Sequence, residues 1–308
     1  MKLRIATRKS ALALWQAEHV ASRLRAHDDV DSVELVPLTT RGDEVLDRSL
    51  QKIGGKGLFI KELEAAIEAG DADLAVHSMK DVPVDMPSGF EIAAVLERGN
   101  PADALVSRTG GDLASLPPRA RIGSSSLRRQ AQLKVLRPDV IVEPLRGNVN
   151  TRLARLDAGA FDAIVLAAAG LERLGAADRI SYQFPPGEMM PAAAQGVIGI
   201  ECRAGMRDVI DVVGSLNHRR ALVTTTAERR VARKLAGSCL SPLGAYASID
   251  ERQLTLAAFV ALPDGSEYLR HESTGSVADA AAIADDVVER LLRDGAAELL
   301  RRAESMNV

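Results

Sequence analysis

The chain has 308 residues, 46 % hydrophobic, 26 % charged and 3 % aromatic, with a formal net charge of −3 at pH 7. That length passes the roughly 250 residues beyond which one core tends to split, so two or three domains built mainly on aliphatic packing are expected. The charge balance excludes a general electrostatic pull on nucleic acid or a membrane surface, and no apolar run approaches the roughly 18 residues of a transmembrane helix.

Residues 3–7 read as a first strand, entered straight from Met1-Lys2. This leaves no room for a signal peptide, and a cytoplasmic location is expected. Arg8, Lys9 and Ser10 follow, then a helix from about Ala11 to Ala26 with Leu12, Trp15, Val20 and Leu24 on its apolar face. Ser10 is a plausible N-cap, which sets Arg8 and Lys9 beside a helix N-terminus, where backbone N–H groups favour anions. Val33–Leu38 is a second strand. The stretch from Thr39 to Gly57 is rich in charge and glycine, and Gly54-Gly55-Lys56-Gly57 reads as a mobile or ligand-covering segment without the Walker A arrangement.

A helix over Leu58–Ala69 leads to Leu74-Ala75-Val76, a short apolar run that reads as a buried strand of a parallel sheet. It runs into His77, Ser78, Met79, Lys80 and Asp81, and Pro83 prevents its continuation. Ligands of open α/β sheets gather beyond the carboxyl ends of the strands. Lys80 and Asp81 are therefore either a surface ion pair or ligand-facing groups.

Glu91–Leu96 is another strand, and Gly99-Asn100-Pro101 is turn chemistry that marks a boundary. The pattern then repeats: a short strand Arg121-Ile122-Gly123, a cap cluster Ser124-Ser125-Ser126, and a helix opened by Leu127-Arg128-Arg129. Ile141–Pro144 is the next strand, followed by Arg146-Gly147-Asn148 and a helix carrying Arg152 and Arg155. Ala163–Ala168 is a buried strand, and a further helix starts over Leu171–Leu174. Pro191-Ala192-Ala193-Ala194-Gln195-Gly196 looks like a crossing segment, leading to a strand Val197–Glu201 and a helix Met206–Leu216. A third, α+β unit opens with an arginine-rich helix from about Arg219 to Leu235. It continues with strands Ala245–Ile249, Thr255–Leu262 and Tyr268–His271, and a capping box at Ser276–Asp279 opens a helix to Leu292.

Residues 102–190 hold 12 basic and 9 acidic side chains, against 12 and 16 in residues 1–96. Arginines at the starts of helices oppose the helix dipole, a conflict that an anionic ligand would resolve, and arginine is the preferred bidentate holder of carboxylate or phosphate. Cys202 reads as a small buried hydrophobe. Cys239 sits between glycine-rich turns, where a reactive or modified thiol is the better reading. Two cysteines give no disulfide framework, and the five histidines lack metal-ligand spacing, so no metal is expected. Read residue by residue, the chain is compatible with a polyanion-handling enzyme, a two-lobed small-anion receptor or the effector domain of a regulator.

Seven stretches in order carry a closer resemblance. They are Arg4-Ile5-Ala6-Thr7-Arg8, Thr40-Arg41-Gly42-Asp43, Gly54-Gly55-Lys56-Gly57-Leu58-Phe59, Ala75 through Pro83, Ser125-Ser126-Leu127-Arg128-Arg129, Leu145-Arg146-Gly147-Asn148, and the Cys239 loop. Together they resemble the porphobilinogen deaminases (hydroxymethylbilane synthases) over essentially the whole chain. The resemblance implies an α/β fold of two domains like type II periplasmic binding proteins, joined by two crossing strands, plus a smaller α+β C-terminal domain. It implies domain 1 over residues 1–98 and 197–216, domain 2 over 102–193 and domain 3 over 219–308.

It further implies a dipyrromethane cofactor in thioether linkage to Cys239. On this primer four porphobilinogen molecules condense head to tail with loss of ammonia, and water then releases a linear tetrapyrrole. Asp81 matches the family's catalytic aspartate. Cofactor and substrate binding fall to Arg8, Ser10, Lys56, Phe59, Ser78, Lys80, Ser124, Ser126, Arg128, Arg129, Arg146, Gly147, Asn148, Arg152 and Gln195. A monomer without nucleic-acid or membrane partners is implied. Two departures stand out: Ser238 and Ala194 each replace a glycine common in the family, which stiffens the local backbone.

Overall fold

The computed structural model describes residues 1–40, 60–235 and 241–306. The chain divides into two compact units, Met1–Gly99 with Val197–Leu222, and Asn100–Gly196 with Val223–Val308.

The first unit is an α/β sheet. Its elements are β1 (Lys2–Arg8), α1 (Ala11–Arg25), β2 (Ser32–Leu38), α2 (Lys61–Glu68), β3 (Leu74–Ser78) and β4 (Phe90–Val95). β1 pairs in parallel with β2 and β3. The buried pattern of β3, with only Ser78 part-exposed, follows from a strand covered on both faces. Leu3, Ile5, Val20, Leu24, Leu74 and Val76 fill one face, and Ala6, Leu63, Ile67, Ala75 and Phe90 fill the other.

The second unit contains a sheet of the same plan. It is made of β5 (Asp103–Ser107), β6 (Arg121–Gly123), α3 (Leu127–Leu136), β7 (Ile141–Glu143), α4 (Val149–Asp157), β8 (Ala163–Ala167), α5 (Ala168–Arg173) and β9 (Tyr182–Phe184). The strand order is β7-β6-β8-β5-β9, with β6 parallel to β7 and β8, and β5 antiparallel to β8 and β9. β5 and β9 have no counterpart in the sequence reading. β5 offers only Ala104-Leu105-Val106 as an apolar run, and β9 is three residues long, so neither carries a readable period.

Beyond the crossing segment, β10 (Ile198–Arg203) lies antiparallel between β3 and β4 in the first sheet, giving the order β2-β1-β3-β10-β4. α6 (Arg207–Gly214) and α7 (Arg219–Lys234) follow. The remaining elements form a three-stranded antiparallel sheet, β11 (Leu243–Asp250), β12 (Gln253–Ala261) and β13 (Tyr268–Ser276), with α8 (Ala280–Arg293) and α9 (Ala296–Ser305) packed on it. β13 runs five residues beyond the expected Tyr268–His271, because its whole length pairs with β12 despite an alternating polar composition. The capping box is corrected too. Ser276 Oγ accepts from Ala278 N, residues Val277–Asp279 form a 3-10 turn, and the α-helix proper starts at Ala280. Two α/β sheets plus a smaller α+β part are the fold class that the resemblance implied.

Candidate functional site

In the first unit, a cleft is lined by Arg8 and Ser10 after β1, Leu12, Ala13 and Gln16 of α1, Ile60, Val76, His77 and Ser78 of β3, and Asp81. Ser10 caps α1, its side chain accepting from Ala13 N at 3.4 Å. A capping hydroxyl accepts with a lone pair and keeps its own O–H to donate to an anion. β3 ends at Ser78, and Met79–Asp81 turn at once into a single 3-10 turn. Met79 N donates to Val197 O at 2.9 Å, which ties the turn to the segment entering β10. Met79 is buried, Lys80 is half-buried and Asp81 is exposed. Gln16, absent from the expected site, is buried and hydrogen-bonds Ser78 Oγ at 2.8 Å. A polar side chain on the otherwise apolar inner face of α1 was the available signal.

In the second unit, three predicted binders sit at helix starts. Ser126 caps α3, accepting from Arg129 N at 3.4 Å, and Ser124 Oγ accepts from Ser126 N at 3.3 Å. Asn148 caps α4 by accepting from Thr151 N at 2.9 Å. Gly147 precedes it at φ 106°, a left-handed conformation that suits glycine. Arg152 Nε donates to Gly147 O at 2.7 Å, and Arg146 is half-buried on the same loop. Arg155 instead lies over the Phe161 ring at 5.7 Å, a packing role.

Arg128 and Arg129 converge on a residue that the sequence reading missed. Asp103, fully buried at the start of β5, accepts from Arg128 Nη1 at 2.6 Å and from Arg129 Nη2 at 2.7 Å and Nε at 2.9 Å. Gln195 Nε2 reaches the same carboxylate at 3.0 Å and Pro101 O at 2.7 Å. Burial alone would push the Asp103 carboxyl up, but the two guanidinium groups outweigh it and hold it well below the usual carboxylate range. The helix-dipole conflict raised by the two arginines is therefore met in part from inside the protein, and one net positive charge remains on the three groups. Only β5, itself unreadable, brings Asp103 to them.

Ala194 adopts φ 61°, the left-handed region in which a side chain costs about 1–2 kcal/mol. Its N–H donates to the buried Glu228 Oε2 at 2.6 Å, while Glu228 Oε1 accepts from Ala247 N at 2.7 Å. The glycine common at this position in the family is explained by that φ. Cys202 is fully buried in the first core, and burial pushes its thiol up to about 11, as an inert packing residue requires. Among the described residues no cluster of histidine, cysteine and carboxylate side chains has the arrangement of a metal site. Lys56, Phe59 and Cys239 lie outside the described residues, as does Ser238.

The family model described as "Porphobilinogen deaminase, dipyromethane cofactor binding domain" matches residues 3–211, and "Porphobilinogen deaminase, C-terminal domain" matches 222–293. A porphobilinogen deaminase of Bordetella parapertussis is 54 % identical over 299 residues, covering 97 % of this chain and 95 % of its relative. One from Thiobacillus denitrificans is 51 % identical over 298 residues, with 97 % of both chains covered. Among solved structures, the VFT2 domain of Bordetella pertussis BvgS aligns at 15 % identity and a TM-score of 0.43, over 70 % of this chain and 86 % of that one. The chain belongs to the porphobilinogen deaminase family, transferases with a dipyrromethane cofactor-binding domain.

Proposed function

We propose that this chain joins four porphobilinogen molecules head to tail, releasing one ammonia per addition, on a dipyrromethane linked to Cys239, and then frees the linear product hydroxymethylbilane with water. The observation that carries the assignment of roles is the first-unit cleft, which Asp81 lines together with Arg8, Ser10 and Ser78. The described residues fit a carboxylate-bearing cofactor. Helix starts at Ser10, Ser126 and Asn148 come with Arg8, Arg128, Arg129, Arg146 and Arg152, and the internal Asp103 neutralises only one of these charges. When bound, the dipyrromethane supplies the pyrrole α-carbon from which the chain grows.

The protein's own groups divide the remaining work. Every porphobilinogen brings an acetate and a propionate, so Arg8, Lys56, Lys80, Arg128, Arg129, Arg146 and Arg152 hold carboxylates, with Ser10, Ser78, Ser124, Ser126, Asn148 and Gln195 as hydrogen-bonding partners. Gly147 gives the Arg146 loop its turn, and Phe59 belongs to the same cofactor- and substrate-binding set. Asp81 stabilises the positive charge that develops on the substrate pyrrole as ammonia departs, the electrostatic role in which a preorganised group is most effective.

The domains run over 1–98 with 197–216, 102–193 and 219–308. Supporting this division are the pairing of β10 with β3 and β4 and the separate antiparallel sheet near the C-terminus. The enzyme acts as a cytoplasmic monomer without nucleic-acid or membrane partners; its net charge of −3 supports the last two points, since it gives no general pull on either polyanion.

Asp81→Ala tests the assignment. Its steady-state rate of porphobilinogen consumption is expected to fall by on the order of 10²–10³-fold, the loss typical of removing one transition-state stabiliser. Asp81→Glu, with its charge displaced, should fall between the two. An Asp81→Ala enzyme turning over near the wild-type rate refutes the role.

A further inference from the structure

Three titratable groups left unused by this chemistry meet beneath the Asp81 cleft. His77 lines the cleft from β3, and its Nε2 lies 2.7 Å from Glu201 Oε2 on the adjacent strand β10. Glu201 is fully buried, and its second oxygen, Oε1, takes no short hydrogen bond from a protein donor. Glu64 of α2, half-buried, interacts with that same carboxyl group. The contact therefore spans three elements: α2, β3 and β10. Apolar side chains of similar volume would pack here without the desolvation penalty of a buried carboxylate.

Two carboxyl groups in contact in a buried place disfavour each other's ionisation, so the last proton is held to a higher pH than on a free carboxyl. Glu64 holds that proton. Burial first, and then the charge and hydrogen bond of Glu201, push its carboxyl up to about 7. Of the other charged groups, Glu68 on its own helix raises it further and Lys61 lowers it. Arg8 after β1 lines the same cleft, and Glu91 on β4 faces Cys202, next to Glu201.

We propose that Glu64, Glu201 and His77 form a proton-holding triad that positions the His77 imidazole in the Asp81 cleft and sets the charge beneath it. The proposal rests on the assignment of Asp81. With Glu64 protonated, its O–H faces the Glu201 carboxyl group, Glu201 Oε2 meets His77 Nε2, and His77 Nδ1 is the imidazole nitrogen left to meet a ligand. When Glu64 loses its proton, the cleft floor gains one negative charge beside a site that admits a dicarboxylate. Substrate binding therefore weakens as pH rises through neutrality, whereas the step at Asp81 does not change. His77 is a positioning residue in this scheme, and Glu64 the group that titrates.

The test compares wild-type holoenzyme with Glu64→Gln, which keeps the shape but cannot ionise, and with Glu64→Met as a second non-ionising variant. KM and kcat for porphobilinogen are measured between about pH 6 and 9, and the imidazole ¹⁵N shifts are followed by NMR, with His77 assigned from its loss in His77→Asn. The expected result is a several-fold rise in wild-type KM above neutrality that both variants lack, with little change in kcat. The His77 ¹⁵N shifts should bend near pH 7 in the wild type and not in the variants. KM profiles that superimpose, or a His77 inflection that survives in Glu64→Gln, overturn the triad. Asp81→Asn separates the two levels: if it keeps full activity, the underlying assignment fails, whereas an inactive Asp81→Asn with unchanged Glu64→Gln profiles sinks the triad alone.

Discussion

Asp103 shows how a single buried side chain conditions the cations around it. Two guanidinium groups at 5 % and 7 % side-chain exposure would be untenable without a counter-charge, and one carboxylate serves both. Asp103→Ala removes it and leaves two buried positive charges facing each other. The expected loss is about 3–5 kcal/mol, read by chemical denaturation. The same pair makes stability pH-dependent with a definite sign. The folded carboxyl titrates below its unfolded value, so its contribution is whole above the ordinary carboxylate range and drains away as pH falls below about 4. Asp103→Asn should therefore be less stable than wild type near neutrality, yet lose less stability on acidification. Equal acid sensitivity of the two proteins would contradict the pairing. Sequence reading reached the arginines, because their charge clashes with helix starts, but not Asp103, because an isolated aspartate after a turn looks like any surface acid.

At the level of elements, the strand-then-cap-then-helix units were legible from local chemistry: Ser10 and Ser126 cap the helices they were expected to cap. What stayed hidden was long-range. β10 reads as one more apolar strand, and nothing in its composition names β3 and β4 as its partners, since register and neighbour are set by contacts more than 100 residues apart in the chain. Gly199 on this strand is the point where β10 approaches the turn bearing Lys80 and Asp81. A Cβ there would run into the Met79 side chain, which is itself buried at 2 % exposure and would have to shift. Gly199→Ala is expected to cost about 1–3 kcal/mol by overpacking. Because Met79 opens the Asp81 turn, the variant should also lose catalytic rate at temperatures where it remains folded. A fully stable, fully active Gly199→Ala protein would show that the turn is not held from β10.

For the molecule as a whole, the two α/β sheets share one plan and use it for different purposes. The first carries an exposed carboxylate at a strand end with a buried acid–imidazole cluster behind it; the second carries arginines and helix caps. The chain belongs to the porphobilinogen deaminase family, and the central claim of the proposed function is that a primer is covalently attached at Cys239. Intact-mass spectrometry of the purified protein tests it most directly. The account predicts a wild-type mass exceeding that of the polypeptide by two linked pyrrole units, an increment absent from Cys239→Ser. An unmodified wild-type mass, or the same increment in both proteins, would contradict it.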